Sequence, residues 1–300
     1  MVCISNVASK YQLGKETTYG TEATTLSLDW GHITAINITE EENPEKLSSL
    51  NGGHTGQIFE DGLYWANVSI SLLATKASLP SILEACLGSR TDATDYTIAS
   101  SLDELSYSIK ASHTKTNIVT ILGWSVKDFE ISVAKGEKFA VTMNGIARKV
   151  TGSAGSITST ANTDKVFTDL DCKVTVGGNA TVLNNFSISG NWNVTDDEGR
   201  GIEDMADADR RLINCVIKHT LDISGSYEAE VDNDLEIGYT SERTDEEIVF
   251  TVSRGTDNEH VFTMDNTRSS SRELGLNTDN AKRVMSYNYE ALDLEVTGDL

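Results

Sequence analysis

Gly123–Val150 reads GWSVKDFEISVAKGEKFAVTMNGIARKV, and its side chains change character at every second residue. Phe129, Ile131 and Val133 share one parity, and Phe139, Val141 and Met143 share one after the turn. Period-2 alternation sets one row of side chains on a core and the other on a wetted face. Lys135-Gly136-Glu137 supplies the turn, where Gly136 takes a positive φ at little cost. The stretch therefore predicts a long-armed β-hairpin. Trp124 and Val126 fall on the opposite parity from Phe129, and Ile146 on the opposite parity from Met143. A phase slip inside a strand predicts a bulge, for which Gly145 is suited, and bulges bend strands into curved sheets.

Upstream, the arm to about Thr25 is Ser/Thr/Gly-rich and reads as extended and not self-sufficient. Leu26–Thr39 and Leu63–Leu73 alternate as strands, and Glu40–Ile58 between them reads as an acidic loop with Pro44 and Gly52-Gly53. Ser78–Gly88 is the clearest helix: Ser78 caps it, Pro80 fits the first turn and Gly88 ends it. Leu79, Ile82, Leu83, Cys86 and Leu87 make one apolar stripe, expected to cover a sheet. Leu102–Ile109 alternates, and Asn117–Leu122 leads into the hairpin.

Downstream, Val150–Asp164 is small, polar and aperiodic, and reads as a linker. Strands follow at Phe167–Val176, Val182–Val194, Val216–Val231, Glu247–Val252 and Met285–Val296. Asp196–Ala208 reads as an acidic loop before a short helix to about Ile213, and Arg254–Asn280 as polar with few apolar anchors. An internal repeat is legible. Trp124–Val133 aligns with Tyr287–Val296, Gly31–Thr39 with Asn184–Trp192, and Val68–Leu72 with Leu221–Gly225. On that alignment the last strand has no internal partner, an edge that invites another chain.

Lys+Arg 24 against Asp+Glu 46 gives a net charge of −22. Such a surface disfavours a non-specific grip on nucleic acid and docking on anionic lipid. It suits a conduit that a polyanion slides through, adaptation to high salt, or a merely acidic soluble protein. The opening residues lack a charged, apolar leader pattern, and no apolar run approaches the roughly 20 residues of a membrane span. Synthesis in a cytoplasm is the expectation, with Cys3, Cys86, Cys172 and Cys215 as free thiols.

The histidines (His32, His54, His113, His219, His260) are dispersed, and no metal, phosphate-loop or nucleophile-elbow motif is present. Asp232-Asn233-Asp234 and Asp257-Asn258-Glu259 lack the spacing of a known calcium loop. No catalytic, cofactor or metal residue is therefore nominated, and an enzyme is the remote reading.

The hairpin pattern "Gly-aromatic-x-Val-x-x-Phe-x-Ile-x-Val-x-x-Gly-Glu", with its second arm ending at Asn144-Gly145-Ile146, resembles the end of the first half of double-domain phage tail tube proteins. Leu13–Thr25, LGKETTYGTEATT, is similar to that family's opening, and Phe167–Ser189 to the start of its second half. The resemblance implies a mostly-β chain of two tandem β-sandwich domains, 1–150 and 151–300, each with a flanking helix. It implies long hairpins that join an inter-subunit β-barrel, with three chains per pseudo-sixfold ring and rings stacked into a tube. It further implies a virion tail protein of siphovirus-like type, not an enzyme. Its partners would be copies of itself and the tail terminator, tail tip and tape-measure proteins, with genomic DNA passing without specific binding. Ser125, Lys127, Glu130 and Ser132 are then expected to face the lumen. Glu40, Glu41, Glu42, Pro44, Gly52 and Gly53 would lie in a loop reaching the next ring, and the N-terminal arm would dock on a neighbour. The acidity is compatible with an extremely halophilic host. The rival from another class is a carbohydrate-binding or adhesin-type β-sandwich, since sugars stack on aromatics.

Overall fold

The structure, a computed structural model, describes residues 10–42, 45–48, 57–60, 64–92, 95–102, 105–112, 116–158, 162–181, 183–196, 212, 216–231, 246–254, 259–275 and 283–299. In chain order the elements are β1 (Tyr11–Lys15), β2 (His32–Glu42), β3 (Glu45–Ser48), β4 (Gln57–Glu60), β5 (Tyr64–Leu73), α1 (Leu79–Leu87), β6 (Arg90–Asp92), β7 (Asp95–Ala99), β8 (Tyr107–Ser112), β9 (Asn117–Ala134), β10 (Ala140–Ala147) and β11 (Lys149–Ala154). A short 3₁₀ turn at Asp169–Asp171 precedes β12 (Cys172–Val176), β13 (Asn179–Thr181), β14 (Leu183–Asp196), β15 (Val216–Val231), β16 (Glu246–Ser253), β17 (Glu259–Gly275), β18 (Arg283–Ala291) and β19 (Glu295–Asp299).

All ladders are antiparallel, and they form one large sheet that does not close into a barrel, with β3–β4 apart. Two long strands organise it. The C-terminal half of β9 lies between β10 and β14, while its N-terminal half lies between β8 and β11. Likewise the C-terminal half of β17 pairs with β18, while its N-terminal half lies between β16 and β19. The result is a β-sandwich-like fold. One layer is eight strands wide, in the order β2-β5-β10-β9-β14-β15-β18-β17. Against it stand β1-β8-β9-β11 and β12-β16-β17-β19-β7.

The hairpin forms as its alternation predicts. Phe129, Ile131, Val133, Phe139, Val141 and Met143 are all buried, and Gly136 turns at φ 82°. One bulge accounts for the slip in β9: Asn144 faces Asp128 and Gly145 faces Val126, leaving Lys127 as the extra residue, whereas β10 alternates without a slip and Ile146 lies on its half-buried side. Gly145 is required for a different reason from the expected one. A Cβ there would lie 2.5 Å from the Trp124 indole nitrogen and 2.3 Å from the Ser125 carbonyl. Helix α1 forms where the apolar stripe predicts, with Leu79, Ile82, Leu83, Cys86 and Leu87 buried and Gly88 at φ 118°. Ser78 does not cap it; its hydroxyl bonds to Thr75.

The core is continuous from the first half of the chain to the second. Trp30 meets Tyr107 edge to face at 5.2 Å, an arrangement that suits aromatic quadrupoles, and packs tilted on Trp124 at 5.6 Å. Phe250 of β16 stacks on Phe186 of β14 at 4.2 Å and on Phe139 at 6.1 Å. The Trp192 indole donates to the Cys86 carbonyl at the end of α1 (2.8 Å).

The pairing registers repeat. In β9 the left-handed Gly123 precedes the bulge at Lys127; at the same spacing in β17, left-handed Asn266 precedes a bulge at Ser270. Opposite the first bulge Asn144 donates to Asp128 (2.6 Å), and opposite the second Asn288 donates to Ser271 (2.6 Å). The skipped residue Thr34 of β2 corresponds to Asn184 of β14. The register jump between Tyr107 and Ile109 in β8 corresponds to that between Glu246 and Ile248 in β16. Thus β1, β2, β5, β8, β9, β10 and β11 match β12, β14, β15, β16, β17, β18 and β19.

Several sequence expectations are corrected. The counterpart of β9 is β17, and Tyr287–Val296 falls on β18 and β19, which match β10 and β11. Those strands do not lack partners: β18 lies between β15 and β17, and β19 between β17 and β7. The other two alignments join the right strands, β2 with β14 and β5 with β15, but in shifted register. The polar stretch after Arg254 is largely strand β17, and the expected linker begins as β11.

From residue 10 the N-terminal arm is built into its own chain. Leu13 is fully buried, β1 pairs with β8, and the Glu16 carboxylate accepts from the Ser106 and Ser108 hydroxyls and the Gly123 amide. The acidic loop begins as strand, since Glu40, Glu41 and Glu42 pair with Ala66, Trp65 and Tyr64, and it continues as the β3–β4 hairpin. Pro44, Gly52, Gly53, Asp232-Asn233-Asp234, Asp257-Asn258 and nearly all of the expected second helix lie outside the described residues. Among the described residues α1 is the one α-helix.

Candidate functional site

Strand alternation gives the eight-stranded layer two unlike faces. Phe129, Ile131, Val141, Met143, Val68, Ile70, Phe186, Ile188, Ile223 and Tyr289 point inward and are buried. The opposite face can be read along the ladders. One row runs Ala35, Ser71, Thr142, Glu130, Ser189, Ser224, Glu290, Arg268 from β2 to β17. A parallel row runs Asn37, Ser69, Asn144, Asp128, Asn191, Asp222. The face is thus built of small hydroxyl and amide side chains with scattered carboxylates, continuous across both halves of the chain. Glu130, Asp222 and Glu290 are exposed on it, against the exposed cations Lys127 and Arg268.

Of the four hairpin residues expected on such a face, Lys127, at the bulge, and Glu130 are exposed and Ser132 is half-buried. Ser125 stands apart. It is 3 % exposed, covered by the segment before β8, and its hydroxyl donates to the Leu105 carbonyl at 2.9 Å. The remaining residues of the face are Asp128 of β9 and side chains of β2, β5, β10, β14, β15, β17 and β18. Sequence reasoning passed over them because Ser, Thr and Asn at alternate positions mark any solvated strand face.

The layer ends on β2 at one side and on the C-terminal half of β17 at the other; among the described residues no strand pairs with the outer edge of either. Along β2 the apolar side chains are incompletely covered. Ile33, Ile36 and Ile38 line a cavity of about 230 Å³ together with Tyr11, Ala111 and Val119. Glu40 and Glu41 continue this edge. Burial, reinforced by the neighbouring Glu40 carboxylate, which it hydrogen-bonds, pushes the Tyr64 hydroxyl up to about 12.

Elsewhere the ionisable groups are held in structural roles. The Arg254 guanidinium donates to the Asp171 carboxylate and to the Val166 carbonyl, clamping the 3₁₀ turn ahead of β12. Burial alone would raise Asp171, but hydrogen bonds from Arg254 and Thr168 outweigh it and hold the carboxyl below its usual range. Burial pushes the Cys86 thiol up to about 12, which leaves it protonated and a poor nucleophile. Among the described residues no group of three or more His, Cys, Asp or Glu is placed to hold a metal ion. Trp30, Trp124 and Trp192 are buried, so they offer no stacking platform to a sugar.

The layer thus presents a continuous polar face backed by an aromatic core, and among the described residues both of its edges are open. No curated protein matches the sequence. A family model described as phage tail tube protein matches residues 7–295, nearly the whole chain. The chain belongs to the phage tail tube protein family, and is thereby a structural component of a phage tail.

Proposed function

We propose that the chain is the subunit from which the tail tube is polymerised, with the polar face of the eight-stranded layer lining the lumen. The observation that carries this reading is the continuity of that face across both halves of the chain. In this reading the repeated registers mark two tandem domains, 1–150 and 151–300, each standing for one sixth of a ring. Three chains close head to tail, and eight strands from each make a barrel about 45–50 Å across between backbones, wide enough to pass a nucleic-acid duplex. Closure removes the strand edges that would otherwise aggregate. Rings stack as an open assembly, with the segment Glu40–Ile58 and its β3–β4 hairpin reaching the adjacent ring, and the tube is completed by terminator, tip and tape-measure proteins.

Exposed Glu130, Asp222 and Glu290 repel phosphate, so genomic DNA slides through without binding. The overall charge of −22 also suits assembly in concentrated salt, where carboxylates are screened and well hydrated. Electron microscopy of the purified protein from low to multimolar salt tests the proposal. Rings or hollow tubes of uniform width are expected, and monomers at every salt concentration would overturn it.

A further inference from the structure

The junction between the two halves of the chain is itself an antiparallel ladder, and it specifies a second one. Within the chain β9 pairs with β14: Ser132 faces Ser187, Ile131 faces Ile188, Glu130 faces Ser189, Phe129 faces Gly190 and Asp128 faces Asn191. By the repeated bulges, β2 stands to the first half as β14 stands to the second, and β17 stands to the second half as β9 stands to the first. These two counterpart strands are the open edges of the layer.

We propose that the C-terminal half of β17 of one copy adds to the β2 edge of the next in the register of the internal junction. Asn37 then faces Gly275, Ile38 faces Leu274, Thr39 faces Glu273, Glu40 faces Arg272 and Glu41 faces Ser271.

Three observations favour a second copy of this chain as the occupant. The internal ladder shows what covers such an edge, namely the counterpart of β17. The side chains at the equivalent inner positions, Phe186 and Ile188, are 2 % and 0 % exposed where β9 is present, while Ile36 and Ile38 are half-buried and line a cavity where it is not. The transferred register also sets an acidic residue opposite a basic one at Glu40 and Arg272, and an apolar residue opposite an apolar one at Ile38 and Leu274. Directly opposed residues are the pairs that stabilise a ladder, and like charges there would oppose it. A one-residue slip would place both rows on the wrong faces. The edge β11, counterpart of β19, is likewise without a strand on its outer side among the described residues.

The inference rests on self-assembly as proposed above, and the test separates the two. Copper-catalysed oxidation of the assembled Glu41→Cys/Ser271→Cys double variant is expected to give dimers and trimers on a non-reducing gel, with each single variant, which keeps the native thiols, staying monomeric. Glu40→Arg and Arg272→Glu should each lower the assembled fraction at least tenfold, and the two together should restore at least half of it, with the thermal melt of the monomer confirming the fold in each case. Rings or tubes visible by electron microscopy without cross-links, or unaffected by both charge reversals, would overturn the register and leave the tube reading standing. Failure of the wild-type chain to assemble at any salt concentration would overturn both.

Discussion

Phe186 and Ile188 in β14 are sealed into the core, whereas Ile36 and Ile38, at the same register in β2, stand half open. A second pair repeats the contrast. His260, at the start of β17, is fully buried and bonds to Tyr96 of β7, while its counterpart Asn117, at the start of β9, is exposed. The strands themselves are alike in length, bulge and pairing. They differ in what lies beside them: β9 and β7 reach from the first half to cover β14 and β19 of the second, and nothing described covers β2 and β11 in return. Burial in this fold is therefore decided by the neighbouring strand across the sheet as much as by each strand's own pattern.

The largest expected effect separates the sealed positions from the open ones. Phe186→Ala removes a ring stacked on Phe250 and should cost about 3–5 kcal/mol. Ile38→Ala should cost the dissociated protein about 1 kcal/mol or less, because its side chain is already partly in water, and should cut assembly instead. Urea denaturation of unassembled protein gives both values. Equal costs would break the comparison, since they would mean that the β2 edge is already covered within one chain.

Next comes acid. Burial lowers His260 from its ordinary value to about 4, partly offset by the Asp299 carboxylate. The folded chain therefore stays unprotonated there while the unfolded chain, at about 6.5, takes up a proton. Stability is full above pH 6.5 and is lost as the pH falls toward 4, by on the order of 3 kcal/mol at the limit. His260→Asn, which installs the residue found at the equivalent position of the first half, should flatten that slope. Urea midpoints at pH 7 and 4.5 measure it, and an unchanged slope in the variant would show that the acid sensitivity lies elsewhere.

These contrasts also explain what was legible beforehand. The β9–β10 hairpin could be read because its inner residues meet a core in any environment, and α1 because one stripe of five side chains is buried together. The repeat could be sensed but not registered. Beyond Phe262 and Met264, strand β17 has Thr267 and Ser269 where β9 has Trp124 and Val126, so its apolar alternation fades. The neighbouring β18 keeps Tyr287 and Tyr289, and so imitated β9 by side-chain size alone. Glu40–Glu42 read as loop for a related reason: an edge strand kept soluble by charge shows no apolar rhythm. Among the four hairpin residues Ser125 is the buried one, because parity places a side chain on a face without saying whether another segment, here that of Leu105, covers it.

The smallest effects test whether the two long strands bend by the same device. Gly123 sits at φ 68° and Asn266 at φ 53°, each just before its bulge. A Cβ on Gly123 would come within 2.8 Å of the Arg148 Cβ and 3.1 Å of the Tyr19 ring. Gly123→Ala therefore adds a steric shift to the left-handed penalty, about 2–3 kcal/mol in all. Asn266 is exposed and of a residue type that tolerates the left-handed region, so Asn266→Gly should change stability by less than about 1 kcal/mol in either direction. Relief of backbone strain there is set against the freer unfolded chain. Thermal melts of the two variants resolve the difference. A cost at Asn266 as large as that at Gly123 would mean that its side chain anchors the bend, and that the second half kept by a contact what the first half keeps by lacking a side chain.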